Sequence, residues 1–185
     1  MRKTIFLFYL ALISLVYLPT YAQISSTTLN PEINIKIPGS TGTNYYNLDL
    51  DNNGSVDYKF SVRYFTTSEF SHRDVPSYSA TITGIDQNKV CAGPFQLNDS
   101  ISASENYFTK DNIYSYIPES GGRSGAWAYS LSSSDDIAYV GLKLDKNGST
   151  YYGWVRLKSN GKTITIYSYA VNTSPNIHIS AGQEN

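Results

Sequence analysis

Apolar and polar residues alternate with period two along most of this chain, and helical periodicity is nearly absent. Ile33, Ile35 and Ile37 alternate with Asn34 and Lys36 up to Pro38-Gly39, and Tyr46, Leu48 and Leu50 lead into an Asp/Asn-rich loop. Val56, Tyr58, Phe60, Val62 and Tyr64 alternate with Asp57, Lys59, Ser61 and Arg63. Each run is the length of a half-buried strand and is rich in β-branched and aromatic residues. Residues 66–77 read as a loop, 79–85 as a Thr/Ile strand, and 90–97 as a strand bent at Gly93-Pro94. Residues 98–125 carry the weakest pattern.

The C-terminal third is a meander. Residues 138–144 and 151–158 flank an Asn147-Gly148 hairpin turn, and Ser159-Asn160-Gly161-Lys162 turns the chain into 163–171. Alternation separates two faces. Ala138, Val140, Leu142, Leu144, Tyr151, Gly153, Val155, Leu157, Ile164 and Ile166 form a core face; Tyr139, Lys143, Tyr152, Trp154, Arg156, Thr165, Tyr167 and Tyr169 form the other. Strands at this spacing, with turn signals between them, predict an all-β fold. The expected architecture is an antiparallel β-sandwich, jelly-roll-like, with little or no helix outside the N-terminal leader. No linker divides residues 23–185, which read as a single domain.

The N-terminus behaves differently. Arg2 and Lys3 precede an apolar run from Ile5 to Leu18; Pro19 ends it, and Thr20-Tyr21-Ala22 supplies small residues at the cleavage-defining positions. This is the pattern of a secretory signal peptide over 1–22, with cleavage before Gln23. The run falls short of the roughly 20 residues that span a bilayer, and no second apolar stretch of that length follows. The mature chain is therefore expected to be exported, to the periplasm, the cell surface or the medium, with no transmembrane segment. Loss of Arg2 and Lys3 takes the net charge from −1 to −3. Without a basic stripe, nucleic acid is not an expected partner. The lone Cys91 precludes an intramolecular disulfide and reads as a small buried hydrophobe.

One motif carries chemistry. Asp49-Leu50-Asp51-Asn52-Asn53-Gly54-Ser55-Val56-Asp57 fits D-x-D-x-N-G-x-x-D. Oxygens at positions 1, 3 and 5 of a tight loop converge, the glycine permits the reversal, Ser55 offers its carbonyl, and Asp57 closes the shell. The predicted ligands of a structural Ca²⁺ are thus Asp49, Asp51, Asn53, Ser55 and Asp57. Phe60 stands where an EF-hand has its bidentate glutamate, and the flanks are strands, so the loop is of the short extracellular type. Asp145-Lys146-Asn147-Gly148 looks like a fragment of the same loop, but reads as a hairpin turn.

The second face of the meander raises another possibility. Tyr152, Trp154, Arg156 and Tyr167 mix aromatic area with polar tips, which suits a glycan or a cell-surface partner. The competing reading is cross-strand aromatic packing, or burial beneath 98–125. His72-Arg73-Asp74 and Gly161-Lys162-Thr163 echo kinase and phosphate-loop motifs but lack their companion residues. A hydrolase would need two carboxylates from Glu69, Asp74, Glu105, Glu119, Asp135 and Asp136, and nothing in the sequence selects a pair.

Y-V-G-L-K-L from Tyr139, Y-Y-G-W-V-R-L from Tyr151, T-I-T-I-Y-S-Y-A from Thr163 and the closing Ala181-Gly182-Gln183 form a recognisable set. With D-L-D-N-N-G-S-V-D-Y upstream, they resemble a family of exported bacterial β-rich proteins whose activity is unassigned. The resemblance covers both ends of the mature chain and implies a β-sandwich without supplying an activity. The function expected from the sequence is a secreted, non-catalytic module, structural or ligand-binding, stabilised by one calcium. The alternative is an extracellular hydrolase.

Overall fold

The computed structural model describes residues 23–68, 74–117, 122–128 and 136–184. The leader assigned to 1–22 lies outside them, as do Glu69, His72, Arg73, Glu119 and Asp135. The strands are β1 (Ile24–Lys36), β2 (Gly42–Leu48), β3 (Tyr58–Ser68), β4 (Asp74–Gly84), β5 (Lys89–Phe95) and β6 (Ser100–Ile101). They continue with β7 (Lys110–Ile117), β8 (Gly122–Ser124), β9 (Ala138–Lys146), β10 (Ser149–Ser159), β11 (Thr163–Asn172) and β12 (Ile179–Ser180).

Two five-stranded antiparallel sheets, β1-β11-β10-β9-β5 and β2-β3-β4-β7-β8, face each other, and β12-β6 forms a small third sheet. The β2-β3-β4 and β9-β10-β11 segments are meanders, and the chain changes sheet between β1 and β2 and between β4 and β5. The fold is an all-β sandwich. Its core lies between the inner faces: Leu48, Tyr58, Phe60, Val62, Ala80, Ile82 and Ile113 meet Val90, Val140, Leu142, Val155, Leu157, Ile164 and Ile166. These are the positions that period-two alternation assigns to one face.

The strands are longer than their patterns suggest. β3 and β4 stay paired from Tyr58↔Gly84 to Ser68↔Asp74, so most of the stretch expected to be a loop at 66–77 is ladder. Thr66, Thr67 and Val75 are β-branched and suit extended backbone, even where polar residues interrupt the alternation. The weakly patterned 98–125 region supplies β6, β7 and β8. Immediately after it, Trp127 is 2% exposed, and its indole N–H donates to the Ala92 carbonyl at 2.6 Å.

A second apolar cluster sits on the other side of the β1-β11-β10-β9-β5 sheet. Ile101 and Ile179, directly paired between β6 and β12, cover Tyr152, Trp154 and Ala170 together with Ile24 and Ala181. The aromatic face read as a ligand platform is, at Tyr152 and Trp154, the floor of this cluster: they are 4% and 0% exposed. Trp154 stands edge-on to Tyr139, with ring centroids 5.3 Å apart and planes at 87°. Tyr169 changes face altogether. Arg156 pairs with Ser168 but Leu157 pairs with Ile166, so Tyr167 is an extra residue in β11. This bulge inverts the alternation beyond it and turns Tyr169 into the main core.

Tyr58 brings a polar atom into that core. It is 0% exposed, and its hydroxyl has no hydrogen-bond partner among the described residues. Burial, followed by the charge of Asp57, pushes the phenol well above its ordinary value, so it stays neutral. An unpaired buried hydroxyl costs about 1–3 kcal/mol of desolvation. Tyr58→Phe is therefore expected to match or exceed the wild type in urea unfolding. A loss above about 1 kcal/mol, the scale of one hydrogen bond, would mean that the hydroxyl is paired after all.

Candidate metal centre

The 49–57 loop is held from both ends. Leu48 and Leu50 are each 1% exposed and anchor its entry in the core. The Asp57 N–H donates to the Leu48 carbonyl at 2.9 Å, closing the loop where β2 hands over to β3. Leu50 lies against Gly153, where an added Cβ would stand 3.2 Å from its Cδ2 and 2.6 Å from the Ala170 carbonyl oxygen. Only glycine fits between these neighbours, so β10 sits tight under the loop.

Within the loop, backbone donors point at the acidic side chains. The Asn53 N–H reaches Asp49 Oδ1 at 3.0 Å and Asp51 Oδ1 at 3.2 Å, and the Gly54 N–H reaches Asp49 Oδ2 at 2.6 Å. The Ser55 N–H donates to Asn53 Oδ1 at 2.9 Å. Two positions adopt left-handed backbone, Asn52 at φ 56° and Gly54 at φ 89°. Asparagine and glycine are the residues that tolerate it best.

Asp57 is the buried member, 5% exposed. Its Oδ2 accepts the Leu50 N–H at 2.8 Å, and its Oδ1 faces the Asn88 amide at 3.4 Å. Asn88 in turn takes the Asp145 N–H on its side-chain oxygen at 3.0 Å, tying the loop to β9. Burial pushes the Asp57 carboxyl up; the Leu50 N–H opposes this, and the charges of Asp51 and Asp49 add to it.

Asp51 goes the other way. Burial pulls it up, but the Lys146 ammonium and the Asn53 hydrogen bonds outweigh burial and hold it below its ordinary value. Lys146 reaches Asp51 Oδ2 at 2.6 Å from the end of β9, and that bond raises the lysine in turn. Asp145-Lys146-Asn147-Gly148, expected as a hairpin turn, reverses the chain at Asn147 and Gly148, whose φ angles are 52° and 78°. The ion pair across 95 residues has no signal in either motif alone.

The structure brings Asp49, Asp51 and Asp57 together as read: one oxygen from each lies within 4.8 Å of the others. Two oxygens on one calcium, at about 2.3–2.6 Å from it, are separated by no more than about 5 Å. This all-oxygen acidic cluster can hold a hard metal ion. Asn53 is beside it through the two backbone bonds described above, and Ser55 follows in the same turn.

The other sequence candidates separate. Tyr152 and Trp154 are buried as described, whereas Arg156 and Tyr167 are half-buried, the guanidinium 5.4 Å from the ring centroid. Cys91 is half-buried on β5 rather than fully enclosed, and burial pushes its thiol up, away from the thiolate. His178 is exposed. Comparison with protein-family models, with curated proteins and with solved structures gives no match for this chain.

Proposed function

We propose that this chain is an exported, non-catalytic β-sandwich module that binds one calcium ion at Asp49, Asp51, Asn53, the Ser55 carbonyl and Asp57. Its task is structural or ligand-binding, with a glycan or cell-surface component as partner. The observation that carries the metal assignment is the convergence of three carboxylates on one point, one of them buried. Three like charges this close repel by roughly 1 kcal/mol per pair even at the dielectric of water. A single lysine offsets only part of that charge. Oxygen ligands without sulfur or imidazole favour calcium over softer ions, and an extracellular supply suits a millimolar-range site.

Melting curves test this. At 2 mM calcium, a site of about 0.1–1 mM affinity stabilises the fold by roughly 0.6–1.8 kcal/mol, or a few degrees in Tm. EDTA is expected to remove that increment, and Asp51→Ala to make the melting curve insensitive to calcium. Superimposable wild-type curves in calcium and in EDTA would sink the assignment.

A further inference from the structure

Three Asn-Gly pairs lie in turns of this chain, Asn53-Gly54, Asn147-Gly148 and Asn160-Gly161, and the first two share the triplet Asn-Gly-Ser. Such a pair can modify itself. The glycine nitrogen can attack the asparagine side-chain carbonyl carbon, because no Cβ on the second residue blocks the approach. Identical triplets leave the choice between them to the surroundings of each side chain.

Two of the three are held. Asn53 Oδ1 accepts the Ser55 N–H at 2.9 Å, and the Gly54 N–H is itself engaged with Asp49 Oδ2 at 2.6 Å. Asn160 Oδ1 accepts the Lys162 and Thr163 N–H groups at 3.0 Å each and the Thr163 hydroxyl at 2.9 Å. The Gly161 N–H donates to Ser159 Oγ at 3.4 Å. These bonds fix the side chain or occupy the attacking nitrogen, and ring closure must first break them.

Asn147 is not held. Residues 146–148 are exposed at the tip of the β9–β10 hairpin, and an added Cβ on Gly148 would meet nothing within 4 Å. Among the described residues, the Asn147 side chain makes no hydrogen bond and the Gly148 N–H has no backbone acceptor. Exposed tips open at little cost in free energy, which lets the pair leave its turn conformation and bring the two atoms together.

The product changes the charge beside the acidic loop. Asn147 lines, with Asp51 and Lys146, a cleft of about 310 Å³. Lys146 is the partner of Asp51 at 2.6 Å. A carboxylate at 147 competes for that ammonium and adds negative charge near the loop, and both effects favour a bound cation.

We propose that Asn147 is a self-modification site, deamidating to aspartate or isoaspartate, and that the new carboxylate strengthens cation binding at the 49–57 loop. The Gly148 nitrogen bonds to Asn147 Cγ and gives up its proton as ammonia leaves, forming a cyclic imide. Water then breaks the Cγ–N bond to give aspartate, or the main-chain carbonyl–N bond to give isoaspartate. The effect on the loop rests on the calcium reading; the modification itself does not.

The test incubates the folded protein and its urea-unfolded chain in mildly alkaline buffer with EDTA, and maps peptides for a gain of one mass unit and for isoaspartate. In urea, Asn53 and Asn147 should convert at similar rates. In the folded protein Asn147 should run about tenfold ahead of Asn53 and Asn160, the worth of one or two hydrogen bonds. Asn147→Gln, which could close only a six-membered imide, should lose the signal at that peptide. A folded pattern that matches the unfolded one, or Asn53 or Asn160 converting first, would overturn the site. Calcium titrations followed by melting then compare wild type with Asn147→Asp. The midpoint of the variant should lie about threefold lower, the scale of one extra charge near a divalent ion in water. An equal or higher midpoint overturns the link to the loop. No calcium response in either protein rejects the metal reading, and the peptide map still decides the modification.

Discussion

Trp154→Ala is expected to cost about 3–5 kcal/mol, a large part of the 5–15 kcal/mol that holds a typical domain folded. The side chain is 0% exposed and lies in the second cluster, between the sheet and its cap. Its ring meets Tyr139 edge-on and packs among Ile24, Ile101, Ala170, Ile179 and Ala181. Its indole N–H donates to the Gln183 carbonyl at 3.3 Å. Removing it empties the centre of the second cluster and loosens the packing of the β6-β12 cap on the sheet. Urea unfolding measures the loss, because Trp127 remains in the main core as the fluorescent reporter. Arg156→Ala and Tyr167→Ala, on half-buried residues whose cation–π contact is worth about 0.5–1 kcal/mol, should each stay within about 1 kcal/mol of wild type. A Trp154→Ala variant as stable as those two would mean that the cap is loose and the aromatic face open to partners.

This contrast marks where sequence pattern was informative. Period-two alternation located the main core because inward residues such as Phe60, Val62, Val140 and Leu142 must all be apolar when two sheets share one interior. It could not say what lies on the second face. Aromatic residues over a cap and aromatic residues facing solvent alternate alike, and the cap comes from two-residue strands, Ser100–Ile101 and Ile179–Ser180, too short to carry a period. A bulge erases the signal differently. Tyr167 adds one residue to β11, and every side chain after it moves to the opposite face, so Tyr169 enters the core against its apparent phase. The nine-residue acidic loop was readable because the three carboxylates it brings together are local in sequence. The Lys146 ion pair and the Asn88 clasp were not, because partners 95 and 31 residues away are joined only by sheet pairing.

Asp57 is where the fold and the proposed metal site are most tightly coupled, and two substitutions separate its roles. Alanine removes the acceptor of the buried Leu50 N–H and one of the two contacts of the Asn88 amide, which keeps its bond to the residue 57 carbonyl. Asp57→Ala is expected to lose about 2–4 kcal/mol in EDTA as well as all response to calcium. Asparagine keeps an acceptor for Leu50 but carries no charge. Without metal, the wild-type carboxylate is pushed up by burial and by the charges of Asp51 and Asp49, against the Leu50 N–H. A carboxyl raised in the folded state binds its proton more tightly there than in the unfolded chain. Its favourable share is fully present below the unfolded value, near 3.8, and is lost as pH rises through the higher folded value. At neutral pH in EDTA the ionised Asp57 therefore works against the fold, and Asp57→Asn should be at least as stable as wild type. That advantage should shrink towards pH 3, where the wild-type carboxyl is protonated in both states. In millimolar calcium the order reverses, because the ion rewards the charge that the empty loop disfavours. Melting both proteins in EDTA and in calcium at pH 7, and in EDTA at pH 3, decides it. If asparagine proves less stable than aspartate even in EDTA at pH 7, the Asp57 charge serves the fold itself rather than a bound cation.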